Sequence, residues 1–330
     1  MIPLGLIPPP PISGLSLGPF DLRFYGLLIA VGALLALRLM SNRFERFGGD
    51  PAVAEKAGLI ALGGGFLGAR IGYVIPRFLG DGGFIERPLE ILAIWQGGLA
   101  FFGGLVGGAL AVLLYVRAKD LDLPALLDAF APALPLAQAI GRWGNYFNQE
   151  LYGRPTDVPW ALQVEERFRR PGFEDEATFH PTFLYESLWN LALVGAIILL
   201  DRARILTRRG SLIFVYLIGY GIGRGWIEAL RIDVAERYFG LSRNNWIAIA
   251  VVLIGIVGLI AWERRGPAAA AIDEGVDDAP DHDHDADDAD AEVADATEAT
   301  DDTHARETPS DDGPTDEGDP VDPSPDDDRR

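Results

Sequence analysis

The amino-acid sequence predicts an all-α integral membrane protein of about seven transmembrane helices, amino end outside and carboxyl end cytoplasmic, followed by a disordered acidic tail. Three observations lead there. A mean hydropathy of +0.15 is too high for a 330-residue chain with a net charge of −20. The charge is also unevenly placed. Residues 267–330 hold 25 acidic residues and three arginines, a net of −22, whereas the first 266 hold 23 acids and 25 bases, a net of +2. Finally, the near-neutral body repeats apolar stretches close to bilayer-spanning length.

The spans read in order as 24–40, 57–75, 90–116, 124–141, 182–200, 211–230 and 245–262. The third is too long for one straight span, and a break is expected around Gln96-Gly97-Gly98. The fourth carries Asp128, Pro132 and Pro135, which membrane depth tolerates only where the backbone is buried in protein. The seventh has no charge from Trp246 to Trp262, with an aromatic at each end as an interfacial anchor. Short loops put twelve Lys and Arg on one side, including Arg43, Arg46, Arg208 and Arg209, against six on the other, which sets the orientation. Glycines four apart, such as Gly64/Gly68, Gly103/Gly107 and Gly221/Gly225, suit close helix packing in lipid. The body is taken as residues 1–265 and the tail as 266–330. The tail has almost nothing large and apolar to bury. Its run Asp281 to Asp285, with two interleaved histidines, reads as a solvated acidic stretch rather than a metal site.

Several classes are excluded. A nucleic-acid binder needs a basic face, and here the tail repels phosphates, so no nucleic-acid partner is expected. The chain has no cysteine, hence no disulfide scaffold, thiolate metal cluster or cysteine nucleophile. No cofactor or metal is called for. Residues 1–11 lack a basic stretch before an apolar run, so no cleaved signal peptide is expected.

Ionisable side chains within membrane spans are costly and are therefore functional candidates. Arg23 and Tyr25 open the first span, and Arg70 lies inside the second. The fourth ends in GRWGNYFNQELYG, residues 141–153, and the fifth opens with HPTFLYES at 180–187. The sixth ends in RGWIEALR at 224–231, where Arg224, Glu228 and Arg231 share one helical face, so Glu228 can hold Arg224 by an ion pair. Arg142 and Asn145, three apart, share a face in the same way. Two guanidinium groups facing one cavity near the outer headgroup layer suit an anionic lipid phosphate. The bland alternative is that these arginines snorkel or pair structurally with Glu186 and Glu228. His180, the only histidine of the body, either ends a loop or acts as a general base.

Those blocks, together with LRFYG at 22–26 and GGLAFFGGLVGG at 97–108, resemble the bacterial prolipoprotein diacylglyceryl transferases in content and order, over residues 20–262. The resemblance implies a multi-pass enzyme of the bacterial cell membrane. It would move the diacylglyceryl group of phosphatidylglycerol onto the lipobox cysteine thiol of a prolipoprotein signal peptide, leaving a thioether and glycerol phosphate. It also implies that Arg142 and Arg224 hold the lipid phosphate, that Asn145, Glu150 and Gly153 complete the lipid site, and that Tyr25 contributes to catalysis; Glu228 joins the lipid site as the spacing-derived partner of Arg224. One position departs from the family: Phe102 stands where many members have a histidine favoured as general base. His180, Tyr25, or the phosphate with its two arginines remain to activate the thiol. A transporter or flippase for an anionic lipid is the competing class, though no internal repeat supports alternating access.

Overall fold

The computed structural model describes residues 5–17, 20–81, 88–93, 97–232 and 237–266. The expected tail beyond Gly266, its Asp281–Asp285 run and Gln96 lie outside them. Seven long helices occupy the described residues: α1 Phe24–Arg46, α2 Pro51–Asp81, α3 Phe101–Lys119, α4 Leu123–Phe147, α5 Thr182–Arg202, α6 Leu212–Leu230 and α7 Arg243–Glu263. Three antiparallel ribbons accompany them: β1 Gly14–Leu17 with β2 Phe20–Arg23 before α1, β3 Leu162–Gln163 with β4 Thr178–Phe179 between α4 and α5, and β5 Arg237–Tyr238 with β6 Leu241–Ser242 between α6 and α7. Six of the helices are long and apolar enough to cross a membrane. The exception is α6, where Arg224 and Glu228 dilute a 19-residue apolar run. Large apolar side chains stay exposed on α2, α3 and α7, among them Phe66, Leu67, Leu105, Val106, Leu253 and Val257. In water such a surface is an association hazard; in lipid it is solvated.

The architecture is organised around α4. Half of its apolar window is buried, against a third or less for the other five apolar helices. It packs against α1, α5 and α6. The expected interruption at Pro132 and Pro135 does not occur, because α4 runs unbroken to Phe147 with both prolines fully buried among its neighbours. Asp128 is equally at home there. Its two carboxylate oxygens accept the backbone N–H of Gly210 (2.7 Å) and Leu212 (2.9 Å), groups at the start of α6 that have no partner within their own helix. Glu263 accepts from the Ser211 and Thr207 hydroxyls and from the Thr207 backbone N–H (3.1 Å) just before α6. Arg43 ties the end of α1 to the end of α5 through Asp201 at 3.0 Å. These three links gather one end of the bundle, with α1 and α5 joined at their carboxyl ends and α4 and α6 at their amino ends.

The glycine pairs do what close packing requires. A Cβ on Gly68 would strike the Gly103 carbonyl and come within 2.7 Å of Gly107 Cα, so α2 and α3 touch backbone to backbone. Gly221 of α6 meets Ala248 and Val252 of α7 in the same way. The expected break before α3 is present as a 3-10 turn at Pro88–Leu92, followed by Gly97 and Gly98 at φ of +87° and +80°. Arg70, whose depth the sequence left open, is the staple of this segment. Its guanidinium donates to the carbonyls of Glu90 (2.6 Å), Ile91 (2.8 Å), Gly97 (2.8 Å) and Gly98 (3.0 Å). That role is structural.

Gly68→Ala should therefore lower the thermal midpoint of the detergent-solubilised protein, at an overpacking cost of about 1–3 kcal/mol. Gly63→Ala meets nothing within 4 Å and should leave the midpoint unchanged or slightly raised.

Candidate active site

At the end of the bundle opposite the Arg43–Asp201 link, the last turns of α4 and α6 meet the first turns of α1, α5 and α7. Helix α4 ends by folding its own signature back on itself. Gln149 and Leu151 take φ of +50° and +60°, and the Glu150 N–H bonds to the Asn145 carbonyl at 3.0 Å. The Glu150 carboxylate consequently accepts from Asn145 Nδ2 (2.9 Å) and Asn148 Nδ2 (3.1 Å). Asn145 in turn accepts from Arg142 Nη1 at 3.3 Å, so Arg142, Asn145 and Glu150 form one hydrogen-bonded chain.

Gly153 threads the next stretch between two helices. Its N–H donates to the His180 carbonyl (2.9 Å), and the Arg154 N–H donates to the Leu230 carbonyl at the end of α6 (2.8 Å). A Cβ at Gly153 would lie 2.8 Å from His180 Cβ and 3.0 Å from the Leu230 oxygen, so only glycine fits. This clamp brings the ends of α4 and α6 and the start of α5 to one place.

The charged centre results directly. Arg142 Nε contacts Glu186 Oε2 at 2.7 Å, and the other oxygen of Glu186 lies 3.9 Å from Arg224 Nη1. Arg224 Nη2 contacts Glu228 Oε2 at 2.8 Å, the pairing that i, i+4 spacing predicts. Glu228 Oε1 accepts from Asn244 Nδ2 at 2.7 Å, which adds the first turn of α7. Glu186 and Glu228 are both 7% exposed. Two arginines thus face each other across one buried carboxylate. The contact to Arg224 is the loose one, and Arg142 Nη2 has no hydrogen-bond partner among the described residues. The guanidinium forks retain capacity for an anion.

The remaining candidates sit at the margin. The Tyr25 ring packs against Gly144, where any Cβ would collide with it, so α1 does bring Tyr25 to the signature helix. His180 reaches Tyr185 instead of the arginines: its Nδ1 is 3.2 Å from the Tyr185 hydroxyl, which also accepts from Trp160 Nε1 at 2.9 Å. Partial burial holds the His180 pKa below the usual histidine value. Phe102 opens α3 with its ring against Phe101 and is 55% exposed, far from any polar partner role. Beyond Glu150 and Asn148 lies an open groove of about 550 Å³, bordered also by Gly14, Asp21, Arg23 and Phe168.

Two contributors escaped the sequence. Glu186 was visible only as a structural partner for an arginine, yet it joins both. Asn244 lies 16 residues beyond Glu228, past the β5–β6 turn, and no spacing rule connects them.

A helical bundle with lipid-exposed flanks and a buried arginine–glutamate centre at one end defines a multi-pass membrane protein equipped to hold an anionic group. The sequence profile of the prolipoprotein diacylglyceryl transferases matches residues 13–261. Three curated relatives carry the name phosphatidylglycerol–prolipoprotein diacylglyceryl transferase. The protein of Bifidobacterium adolescentis is 39% identical over 82% of this chain and 84% of its own. One of two in Streptomyces coelicolor is 41% identical over 80% and 83%. That of Frankia alni is 42% identical over 78% and 68%. The chain belongs to the prolipoprotein diacylglyceryl transferase family.

Glu186→Gln should expose what the shared carboxylate does. Removing its charge leaves Arg142 without its carboxylate and Arg224 with Glu228 alone, at a cost of about 3–5 kcal/mol. The thermal midpoint should fall, and anionic phospholipid should restore more of it than zwitterionic lipid does.

Proposed function

We propose that this protein transfers the diacylglyceryl group of phosphatidylglycerol to the lipobox cysteine of prolipoproteins. The thiolate sulfur of the substrate attacks the glycerol methylene that carries the phosphate. A carbon–sulfur bond forms, the carbon–oxygen bond to phosphate breaks, and glycerol phosphate leaves with the electron pair. The observation that carries this is the pairing of Arg142 and Arg224 across Glu186. A leaving phosphate monoester gathers negative charge, and two preorganised guanidinium groups in a low-dielectric site stabilise it as it forms. Asn145, Glu150 and Glu228 hold the forks in place through the contacts described. Gly153 lets the chain segments carrying them converge, and Tyr25 packs against α4 at Gly144.

The site end lies opposite the end crowded with Arg43, Arg46, Arg208, Arg209, Arg264 and Arg265. By the distribution of basic residues that crowded end is cytoplasmic, so the site faces the outer leaflet of the bacterial cell membrane. We place α6 across the bilayer with the other six helices, since its charges lie in its last two turns, at headgroup depth. The acidic tail beyond residue 265 is then cytoplasmic and takes no part in the chemistry.

The thiol is activated by the field of the arginines and by the lipid phosphate acting as proton acceptor. Phe102 cannot accept a proton, and the His180 imidazole is engaged with Tyr185.

Given phosphatidylglycerol and a lipobox peptide, the protein should add a diacylglyceryl mass to the cysteine. Arg142→Ala should reduce that product at least 100-fold, about 2.7 kcal/mol in the barrier. Absence of product with the normally folded wild-type protein would overturn the assignment.

The pH dependence separates the proton acceptors. A His180 base, with its pKa lowered by burial, is already neutral at pH 7, so kcat/KM would level off below the usual histidine range. An arginine-field mechanism instead makes kcat/KM climb toward the thiol value of about 8.5. We expect the climb, and less than a tenfold loss in His180→Gln.

A further inference from the structure

Below the arginine centre the α4–α6 interface holds a second polar pair. Gln138 lies four residues before Arg142 on α4, and Tyr216 lies eight before Arg224 on α6, so both are one to two helical turns deeper in the bundle. Gln138 Nε2 donates to the Tyr216 hydroxyl at 2.9 Å. Tyr216 is only 8% exposed, and its ring stacks on Tyr220 at 5.8 Å, midway to Arg224. The neighbours are apolar, among them Ala131, Leu134, Leu193 and Leu212.

The pair is not satisfied by itself. Gln138 Oε1 is buried without a hydrogen-bond partner, and no acceptor takes the Tyr216 hydroxyl proton among the described residues. Turning the amide over changes which donor is left, not whether one is left. Oε1 would then accept from Tyr216, and both Nε2 hydrogens would be unused. In either arrangement a buried donor lacks an acceptor, which costs free energy unless a ligand supplies one.

We infer that Gln138 and Tyr216 bind an acyl ester carbonyl of the diacylglyceryl lipid, which rests on the transferase function proposed above. The position matches. With the phosphate on Arg142 and Arg224 and the chains toward the bilayer centre, the ester carbonyls lie a few covalent bonds deeper than phosphorus. The chemistry matches as well, because an ester carbonyl accepts hydrogen bonds and donates none. The pair therefore makes the site selective for ester-linked over ether-linked chains, although the bond that breaks is the same in both lipids.

The test compares kcat/KM for phosphatidylglycerol with two ester-linked chains and for its diether analogue of equal chain length, using one lipobox peptide. The wild-type protein should favour the diester about three- to tenfold, the value of one or two buried hydrogen bonds. Tyr216→Phe, which keeps the stacked ring, and Gln138→Leu should bring the ratio to within about twofold of unity by slowing the diester alone. Equal wild-type rates on the two lipids overturn the inference. So do variants that slow both lipids alike and preserve the ratio, since that is what a purely structural pair would do. No transfer from the diester by folded wild-type protein would overturn the underlying function instead.

Discussion

Glu186 stands between Arg142 and Arg224, and the geometry of the charged centre follows from that position. Two guanidinium groups in a low-dielectric interior repel, and the carboxylate between them offsets that repulsion while Glu228 holds Arg224 from its other side. Glu186 contributes one oxygen to each arginine, tightly at 2.7 Å and loosely at 3.9 Å. That asymmetry leaves the pair near electrical balance yet open on one side. In the function proposed, a phosphate would meet guanidinium groups already oriented by Glu186 and Glu228.

Holding three helix ends at this point is a problem of chain direction, and the opposite end of the bundle solves it. Asp128 caps α6, Glu263 caps the turn before α6, and Arg43 joins α1 to α5. With those ends registered, helices of fixed rise deliver the ends of α4 and α6 and the start of α5 to the same depth. Gly153 completes the arrangement by letting a backbone segment pass between His180 and Leu230. Polar residues at both ends thus serve one purpose, and the apolar middle supplies the lipid-facing surface.

The absence of a proton-accepting side chain at Phe102 is consistent with this economy. The site is built from groups that hold and compensate charge, with His180 at its rim bonded to Tyr185. A thiol already near its ionisation range needs a positive field more than a strong base.

Much of this was legible from the chain alone. Hydropathy pointed to seven helical segments, and six of the seven helices are long and apolar enough to cross a membrane. Helical periodicity paired Arg224 with Glu228 and Arg142 with Asn145, since residues three or four apart always share a face. The glycine pairs announced close packing, and ordered blocks announced the family. The tertiary structure decided what spacing cannot encode. It made Glu186 the shared partner of two arginines 82 residues apart, brought Asn244 back to Glu228, and turned Arg70 from a candidate into a loop staple. It also kept α4 continuous through two prolines, because burial among neighbouring helices compensates a missing backbone bond. Local pattern specifies which face a side chain lies on; only the packing of helices distant in sequence specifies what that face meets.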